Sequence, residues 1–356
     1  MNKSVQRNGA IDFWKFAFSI LIVICHLEIM PSFAHDRVIW FKSASIGVEF
    51  FFIVSGFLMA KHTRDEGMTA GKATWEFIKS KYLGIIPMYL FAYFVSLTVK
   101  AALGDDLLKL FGGSIFELLF LHNAGLSQLF GARFFVVQAT WYISAMLLSM
   151  FVLYPILHSH RDMFLNVVAP LLCIFIMGYF AKYEKTLKFM DGFFSIMRAA
   201  AEICLGCIAY RVCEVLKKHQ IAKATGVMLT IIECSCYISI FVTAFFIGRG
   251  MYDFIAVIIL AMGVAISFSG KSYSGIIFRG VLCKFLGKLS LAIYLNHVIV
   301  IYLFQDFNMP LSVTTEVILV FALTIALSLI CVFVTDIIQI LIKKRKQLKM
   351  AVTDNV

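Results

Sequence analysis

The chain has 356 residues, of which 61% are hydrophobic and only 15% are charged, and its formal net charge is +11. Apolar runs of about 18 or more residues recur along the whole sequence, which excludes an ordinary soluble protein. The basic residues cluster between these runs, as expected where Lys and Arg set the orientation of membrane helices. We therefore expect no nucleic-acid partner despite the positive charge.

The hydropathy pattern predicts an all-α integral membrane protein, a single bundle of about ten transmembrane helices. The predicted spans are 13–33, 43–60, 83–103, 138–157, 164–181, 195–215, 226–247, 253–269, 285–304 and 314–342. Within the segment 105–137, the apolar stretch 115–121 is too short to cross a bilayer, so we expect it to lie at the interface or to re-enter. Residues 1–342 are predicted to form one membrane domain, followed by a basic cytoplasmic tail, 343–356.

Most Lys and Arg residues fall in one set of the predicted loops, which places both termini in the cytoplasm by the positive-inside rule. The basic tail is expected to rest on anionic lipid. The nine cysteines are scattered through the apolar runs, and the pair Cys204 and Cys207 has no second Cys or His pair beside it. Neither a disulfide framework nor a metal site is predicted.

The first predicted span carries ionisable residues on one face. Lys15 and His26 are eleven residues apart, about three helical turns, and Asp12 lies on the same face. The rise from Lys15 to His26 is roughly 16 Å, and ionisable groups at such depth are typically functional. A neutral imidazole can accept a proton from a hydroxyl, so His26 is a candidate general base. Alternatively, Lys15 only extends towards the interface and His26 is hydrogen-bonded inside the bundle.

The second predicted span carries a single carboxylate, Glu49, in an apolar sequence, and Gly56 lies on the same face seven residues later. If Glu49 faces the first helix, it would orient His26 or stabilise its charge. A pairing of Glu49 with another basic group is the alternative. Arg198 and Glu202, four residues apart, are expected to form a structural ion pair.

Five motifs in register resemble the membrane-bound acyltransferase-3 family, whose members O-acylate surface polysaccharides, peptidoglycan and related glycans. They are Asp12-x-x-Lys15 followed by His26, Gly-Val-Glu49-x-Phe-Phe-x-Val-Ser55-Gly-Phe-Leu, Lys79-x-Lys81-x-x-x-Ile-Ile-Pro87-x-Tyr89, Trp141-Tyr-Ile-Ser144, and Leu286-Gly-Lys-Leu-Ser290-x-x-Ile-Tyr294-Leu-x-His297. The resemblance covers nearly the whole chain. Two positions depart from it, because Lys15 and Gly84 stand where the family usually has arginine.

The resemblance implies a cytoplasmic acyl-coenzyme A donor, with acetyl as the expected group, and no permanently bound cofactor. The phosphates of coenzyme A need cationic partners, which Lys15, Lys79 and Lys81 would supply. A pantetheine arm would cover the distance from Lys15 to His26. The implied acceptor is a hydroxyl of a cell-surface polysaccharide or lipid-linked sugar, and the implied location is a bacterial plasma membrane.

The predicted catalytic residues are His26, as general base, and Glu49. We expect Asp12 and Ser55 to support the site, and Trp141 to stack on a sugar. In the predicted span 285–304, Tyr294 would donate a hydrogen bond to an oxyanion and His297 would help to bind the acceptor, although both residue types also serve as interfacial anchors.

The sequence is compatible with direct transfer of the acyl group and with transfer through an acyl-enzyme intermediate. Two other classes also fit part of the pattern. A polytopic transporter or flippase for a glycan or lipid-linked precursor would also bury His, Glu and Arg, but no inverted repeat is evident. A haem or metal protein would need His26 and His297 to meet as ligands.

Overall fold

A computed structural model describes residues 7–30, 43–63, 67–125, 135–190, 192–307 and 311–353. In these ranges the regular structure is helical, without strands. The helices longer than two turns are α1 (Gly9–His26), α2 (Gly47–Lys61), α3 (Ala70–Ala102), α4 (Leu107–Leu118), α5 (Trp141–Ser159), α6 (Arg161–Glu184), α7 (Gly192–Lys218), α8 (Lys223–Phe246), α9 (Tyr252–Ser269), α10 (Val281–Phe307) and α11 (Val313–Thr353).

Ten of these described helices, all except α4, are long and apolar enough to cross a membrane. The predicted class, an all-α integral membrane protein with about ten spans, is therefore confirmed. The 12-residue helix α4 is shorter than a bilayer is thick, as expected for the segment 105–137. It is held against α3, since Tyr93 donates a hydrogen bond to Ser114 Oγ (2.7 Å) and Tyr82 donates one to the Leu118 carbonyl (2.9 Å).

Several boundaries differ from the prediction. The first helix ends at His26, and the predicted residues 31–33 lie outside the described residues. Met30 is extended (φ −74°, ψ 138°), as expected for a residue that precedes proline. The third helix begins at Ala70 instead of residue 83, so Lys79 and Lys81 lie on a helix and not in a loop.

The predicted tail, 343–356, also differs, because α11 continues through it without a break to Thr353. Residues 354–356 of that tail, like residues 1–6 of the predicted membrane domain, lie outside the described residues. A cytoplasmic location for the tail stays a prediction.

Close packing of α2 against α7 depends on two glycines. A Cβ atom on Gly56 would overlap the backbone carbonyl of Ile203, and one on Gly206 would overlap that of Ile53. Small residues of this kind let membrane helices approach until their backbones touch. A third glycine, Gly287 of α10, packs in the same way on the side chain of Asp12 in α1.

A cluster of buried charges connects α2, α7 and α9. Glu49 Oε1 is 2.7 Å from an Arg198 guanidinium nitrogen and also binds Arg249. Arg198 Nε lies 3.2 Å from Glu202, and Arg249 Nε lies 3.2 Å from Asp253. No side chain in this cluster is more than 5% exposed. We call these five residues the buried charge cluster; removing one partner of such a pair leaves an uncompensated charge, which costs about 3–5 kcal/mol.

We expect Gly56→Ala to lower the free energy of unfolding by about 1–3 kcal/mol, because the new methyl group forces α2 and α7 apart. Reversible unfolding in mixed detergent micelles measures this loss. The matched control is Gly178→Ala in α6, where a Cβ atom would meet nothing within 4 Å. Equal stability of the two variants would contradict the close α2–α7 contact.

Candidate active site

One cavity of about 610 Å³ lies where α1, α3 and α10 end. His26 lines it from the end of α1, Lys100 from the end of α3, and Tyr302 from the last turns of α10. These three helices therefore run in the same direction, and we call the side on which they end the distal face. The side on which α1 begins is the amino-terminal face.

The cavity brings together four of the predicted site residues, which come from three different helices. His26, Trp141, Tyr294 and His297 all line it. A volume of about 610 Å³ is in the range of small-molecule sites.

The two histidines contact each other, and their partners determine which ring nitrogens carry hydrogen. His297 Nδ1 lies 2.8 Å from the Tyr294 carbonyl and 3.2 Å from the Ile293 carbonyl. Carbonyl oxygens only accept, so this nitrogen carries the hydrogen and Nε2 of the neutral ring accepts. His297 Nε2 is 3.3 Å from His26 Nδ1, which is also 2.9 Å from the Ile22 carbonyl.

His26 Nδ1 thus faces two acceptors, and it must be the nitrogen that donates. The remaining nitrogen of His26, Nε2, then holds the lone pair of the neutral imidazole. This is the arrangement that a general base needs, since a second group fixes the tautomer and the ring position.

In the structure Glu49 pairs with basic groups other than His26, the alternative that the sequence left open. Its carboxylate binds Arg198 and Arg249 in the buried charge cluster, and the group next to the His26 ring is His297. Glu49 does not line the cavity. The sequence left both partners open because an apolar span does not show which way its one carboxylate points.

Arg198 of the buried charge cluster contacts two residues that line the cavity. Arg198 donates a hydrogen bond to the Phe189 carbonyl (2.7 Å), and its guanidinium lies 5.5 Å from the centre of the Trp141 ring. Phe189 and Trp141 both line the cavity. Arg198, which binds Glu49 as well as Glu202, therefore contacts two residues of the cavity wall.

The role of Tyr294 as an oxyanion donor stays a prediction, and its hydroxyl has a backbone acceptor in the structure. The hydroxyl of Tyr294 donates to the Ala139 carbonyl (2.8 Å), so its only hydrogen is engaged. The ring nevertheless lines the cavity beside His297, with the two ring centres 5.9 Å apart. Ser55 lies outside the lining, where its hydroxyl is 3.4 Å from that of Tyr142.

The predicted donor-binding residues lie away from this cavity. Lys15, Lys79 and Lys81 do not line it. Lys15 lies near the start of α1 and is close enough to Lys81 for their charges to interact, and Lys79 is exposed. Asp12 forms an ion pair with Arg7 (2.8 Å) at the same, amino-terminal face.

Three contributors were not predicted from the sequence. Lys100 and Lys188 supply positive charge to the lining, and Glu117 holds one wall of the cavity. A lysine at the end of a span is usually an interfacial residue, which hides Lys100 from sequence reasoning. Arg249 was also missed, although Arg249 and Asp253 repeat the four-residue spacing of Arg198 and Glu202.

Glu117 of α4 accepts hydrogen bonds from the backbone amides of Val136 (2.7 Å) and Val137 (2.8 Å). Both valines line the cavity, so the carboxylate fixes this part of the wall. Glu117 lies outside the ten helices that are long enough to cross a membrane. Its burial raises the pKa of the carboxyl to about 7.

We expect the protection of the Val136 and Val137 amides from hydrogen exchange to fall as the pH is lowered from 8 to about 6. Below the pKa of about 7, the carboxyl of Glu117 takes up a proton and becomes a weaker acceptor. Because burial raises this pKa, protonation relieves the cost of a buried charge, so we expect a local change and not a loss of overall stability.

Glu117→Gln is the matched variant, since a side-chain amide has only one accepting oxygen and cannot titrate. Its protection at these two amides is expected to be low at every pH in the same range. Protection in the wild type that does not change with pH would contradict this role of Glu117.

In the part of the chain that the structure describes, no group of three or more His, Cys, Asp or Glu residues is arranged to hold a metal ion. The distance between His297 Nε2 and His26 Nδ1, 3.3 Å, is that of a hydrogen bond.

Fold and cavity together define a multi-pass membrane protein with a histidine site between its helices. The sequence profile of the family described as "Acyltransferase domain" matches residues 8–335. The chain therefore belongs to the acyltransferase-3 family, and its activity is acyl transfer. No curated protein and no solved structure gives a significant match. The family match lends no support to the transporter alternative.

Proposed function

We propose that the protein is a membrane O-acyltransferase that moves an acyl group, acetyl in the simplest case, from acyl-coenzyme A to a hydroxyl of a cell-surface glycan or lipid-linked sugar. The observation that carries this proposal is the contact of His26 Nδ1 with His297 Nε2 (3.3 Å), which leaves Nε2 as the accepting nitrogen of His26, in a cavity that Trp141 and Tyr294 also line. The family match supplies the reaction class.

In the proposed reaction, His26 Nε2 takes the proton of the acceptor hydroxyl as the oxygen attacks the thioester carbonyl. The new carbon–oxygen bond forms and the carbon–sulfur bond breaks. The proton on His26 then passes to the departing thiolate, so that free thiol leaves and the imidazole is neutral again. Direct transfer in a ternary complex needs no acyl group on the enzyme.

His297 is the positioning residue in this scheme. While Nε2 of His26 holds the proton taken from the acceptor, the Nδ1–H group of His26 still donates to His297 Nε2 and to the Ile22 carbonyl. These hydrogen bonds stabilise the imidazolium. A neutral His297 is suited to this role, since its own hydrogen is held by backbone carbonyls. This assignment replaces the predicted role of His297 in binding the acceptor.

The donor is proposed to enter from the amino-terminal face. Lys15 and Lys81 are cations on neighbouring helices there, which supports a site for the phosphates of coenzyme A, with Lys79 exposed nearby. About 16 Å of helix separates Lys15 from His26, the distance that the pantetheine arm would cover. The acyl group would then arrive beside His26 in the cavity.

The acceptor is proposed to enter from the distal face, where Trp141 and Tyr294 present aromatic surface to a sugar ring. The positive-inside pattern supports a cytoplasmic location for both termini, in a bacterial plasma membrane. The distal face would then be the outer face, where a surface glycan is available.

We expect His26→Ala to lower the transfer of label from radiolabelled acetyl-coenzyme A into an alkali-labile glycan fraction by about 100-fold or more, because the general base is removed. His297→Asn should reduce the rate by up to about 100-fold and leave residual activity, since it removes only the positioning of His26. Membranes with matched expression, supplied with native cell envelope, provide the assay.

The matched control is His160→Ala, which changes an exposed histidine just after α5 that does not line the cavity. Its activity should equal that of the wild type. Labelling that persists in His26→Ala would exclude His26 as the base and retain acyl transfer. If neither the wild type nor the control labels the glycan, while another acyl-coenzyme A does, acetyl is the wrong acyl group.

A further inference from the structure

The charged side chains that line the cavity all have the same sign. Among the described residues that line it, Lys100 and Lys188 are the ones with an ammonium side chain, and none is an aspartate or glutamate. A neutral sugar does not need two ammonium groups in its binding site. A cavity of one sign attracts a ligand of the opposite sign.

Lys100 is held in place at the cavity. Its ammonium donates a hydrogen bond to the Phe135 carbonyl (2.9 Å) and lies 5.2 Å from the centre of the Tyr302 ring. An ammonium group has three N–H donors, so this hydrogen bond leaves two for a ligand. Phe135 and Tyr302 also line the cavity, and the ammonium is therefore fixed between two of its walls.

Carboxylates near the two lysines lie outside the lining. Asp105 accepts hydrogen bonds from the Tyr302 hydroxyl (3.2 and 3.3 Å) and attracts Lys100. Glu117 also attracts Lys100, while its two oxygens accept from the amides of Val136 and Val137. Glu28 attracts Lys188 and is exposed. These three carboxylates moderate the positive charge, but none of them belongs to the lining of the cavity, where it would repel an anion.

We propose that the acceptor is an anionic saccharide, and that Lys100, with Lys188, binds its carboxylate or phosphate while His26 meets the hydroxyl to be acylated. This inference rests on the proposed function, because it names the class of acceptor. An ammonium–oxyanion hydrogen bond is charge-assisted, and it would fix the sugar in one orientation on the aromatic wall.

The test measures occupancy of the cavity and requires no acyl transfer. Diethyl pyrocarbonate modifies unprotonated imidazole nitrogens, and mass spectrometry of the His26 peptide reports its rate of modification in the purified full-length protein. Glucuronate and glucose 1-phosphate are the anionic probes, and glucose is the neutral one. We expect the anionic probes to protect His26 with an apparent affinity about tenfold or more above that of glucose.

Lys100→Gln should remove this preference for the anionic probes, and Lys100→Arg should retain it. The matched control is Lys182→Gln, an exposed lysine near the end of α6 that does not line the cavity. Equal rates of His26 modification without probe, in all variants and the wild type, will show that the cavity is intact. Protection by glucuronate alone indicates a carboxylate acceptor, and protection by glucose 1-phosphate alone indicates a phosphate acceptor.

Equal protection by glucose and the anions, or a preference for the anions that survives Lys100→Gln, would overturn the proposal, as would no protection by either anion. The proposed function fails separately, if wild-type membranes transfer label from no acyl-coenzyme A, and the role of His26 as the base fails if His26→Ala keeps its glycan labelling. Anion protection that depends on Lys100 would still support the subsite in that case.

Discussion

The arrangement of the bundle depends on one constraint: charges inside an apolar environment must find partners within the protein. Glu49, Arg198 and Arg249 satisfy it together, and they connect α2, α7 and the segment before α9. Rotation of any of these helices would separate charges that water cannot reach. The glycine contacts between α2 and α7 bring the backbones close enough for this pairing.

The same constraint shapes the site. Arg198 also donates a hydrogen bond to the Phe189 carbonyl and lies against Trp141, so the charge cluster that stabilises the bundle also contacts two residues of the cavity wall. His26 is held by a backbone carbonyl and by His297, which in turn is held by carbonyls of its own helix. A base built in this way has a defined tautomer and little freedom to move, although it lies at the end of its helix.

The sequence predicts the number of spans and singles out His26, Trp141, Tyr294 and His297 as candidate site residues, since hydropathy and motifs report directly on helices and on unusual polar residues. It does not predict the partner of Glu49, because an apolar span has no polar face that would reveal its rotation. Arg249 was missed because it lies between spans. The wall contact of Glu117 joins residues 19 and 20 positions apart across segments without regular pattern, and only the folded chain reveals it.

The central claim is that Nε2 of His26, a residue that lines the cavity, is unprotonated because His297 accepts a hydrogen bond from Nδ1 of His26. Solid-state nitrogen NMR of the full-length protein in lipid, labelled on its histidine imidazoles, measures this directly, with His26→Asn and His297→Asn to assign the signals. At a pH where both rings are neutral, the account predicts hydrogen on Nδ1 of both histidines and a coupling between His26 Nδ1 and His297 Nε2. Hydrogen on His26 Nε2 would contradict it.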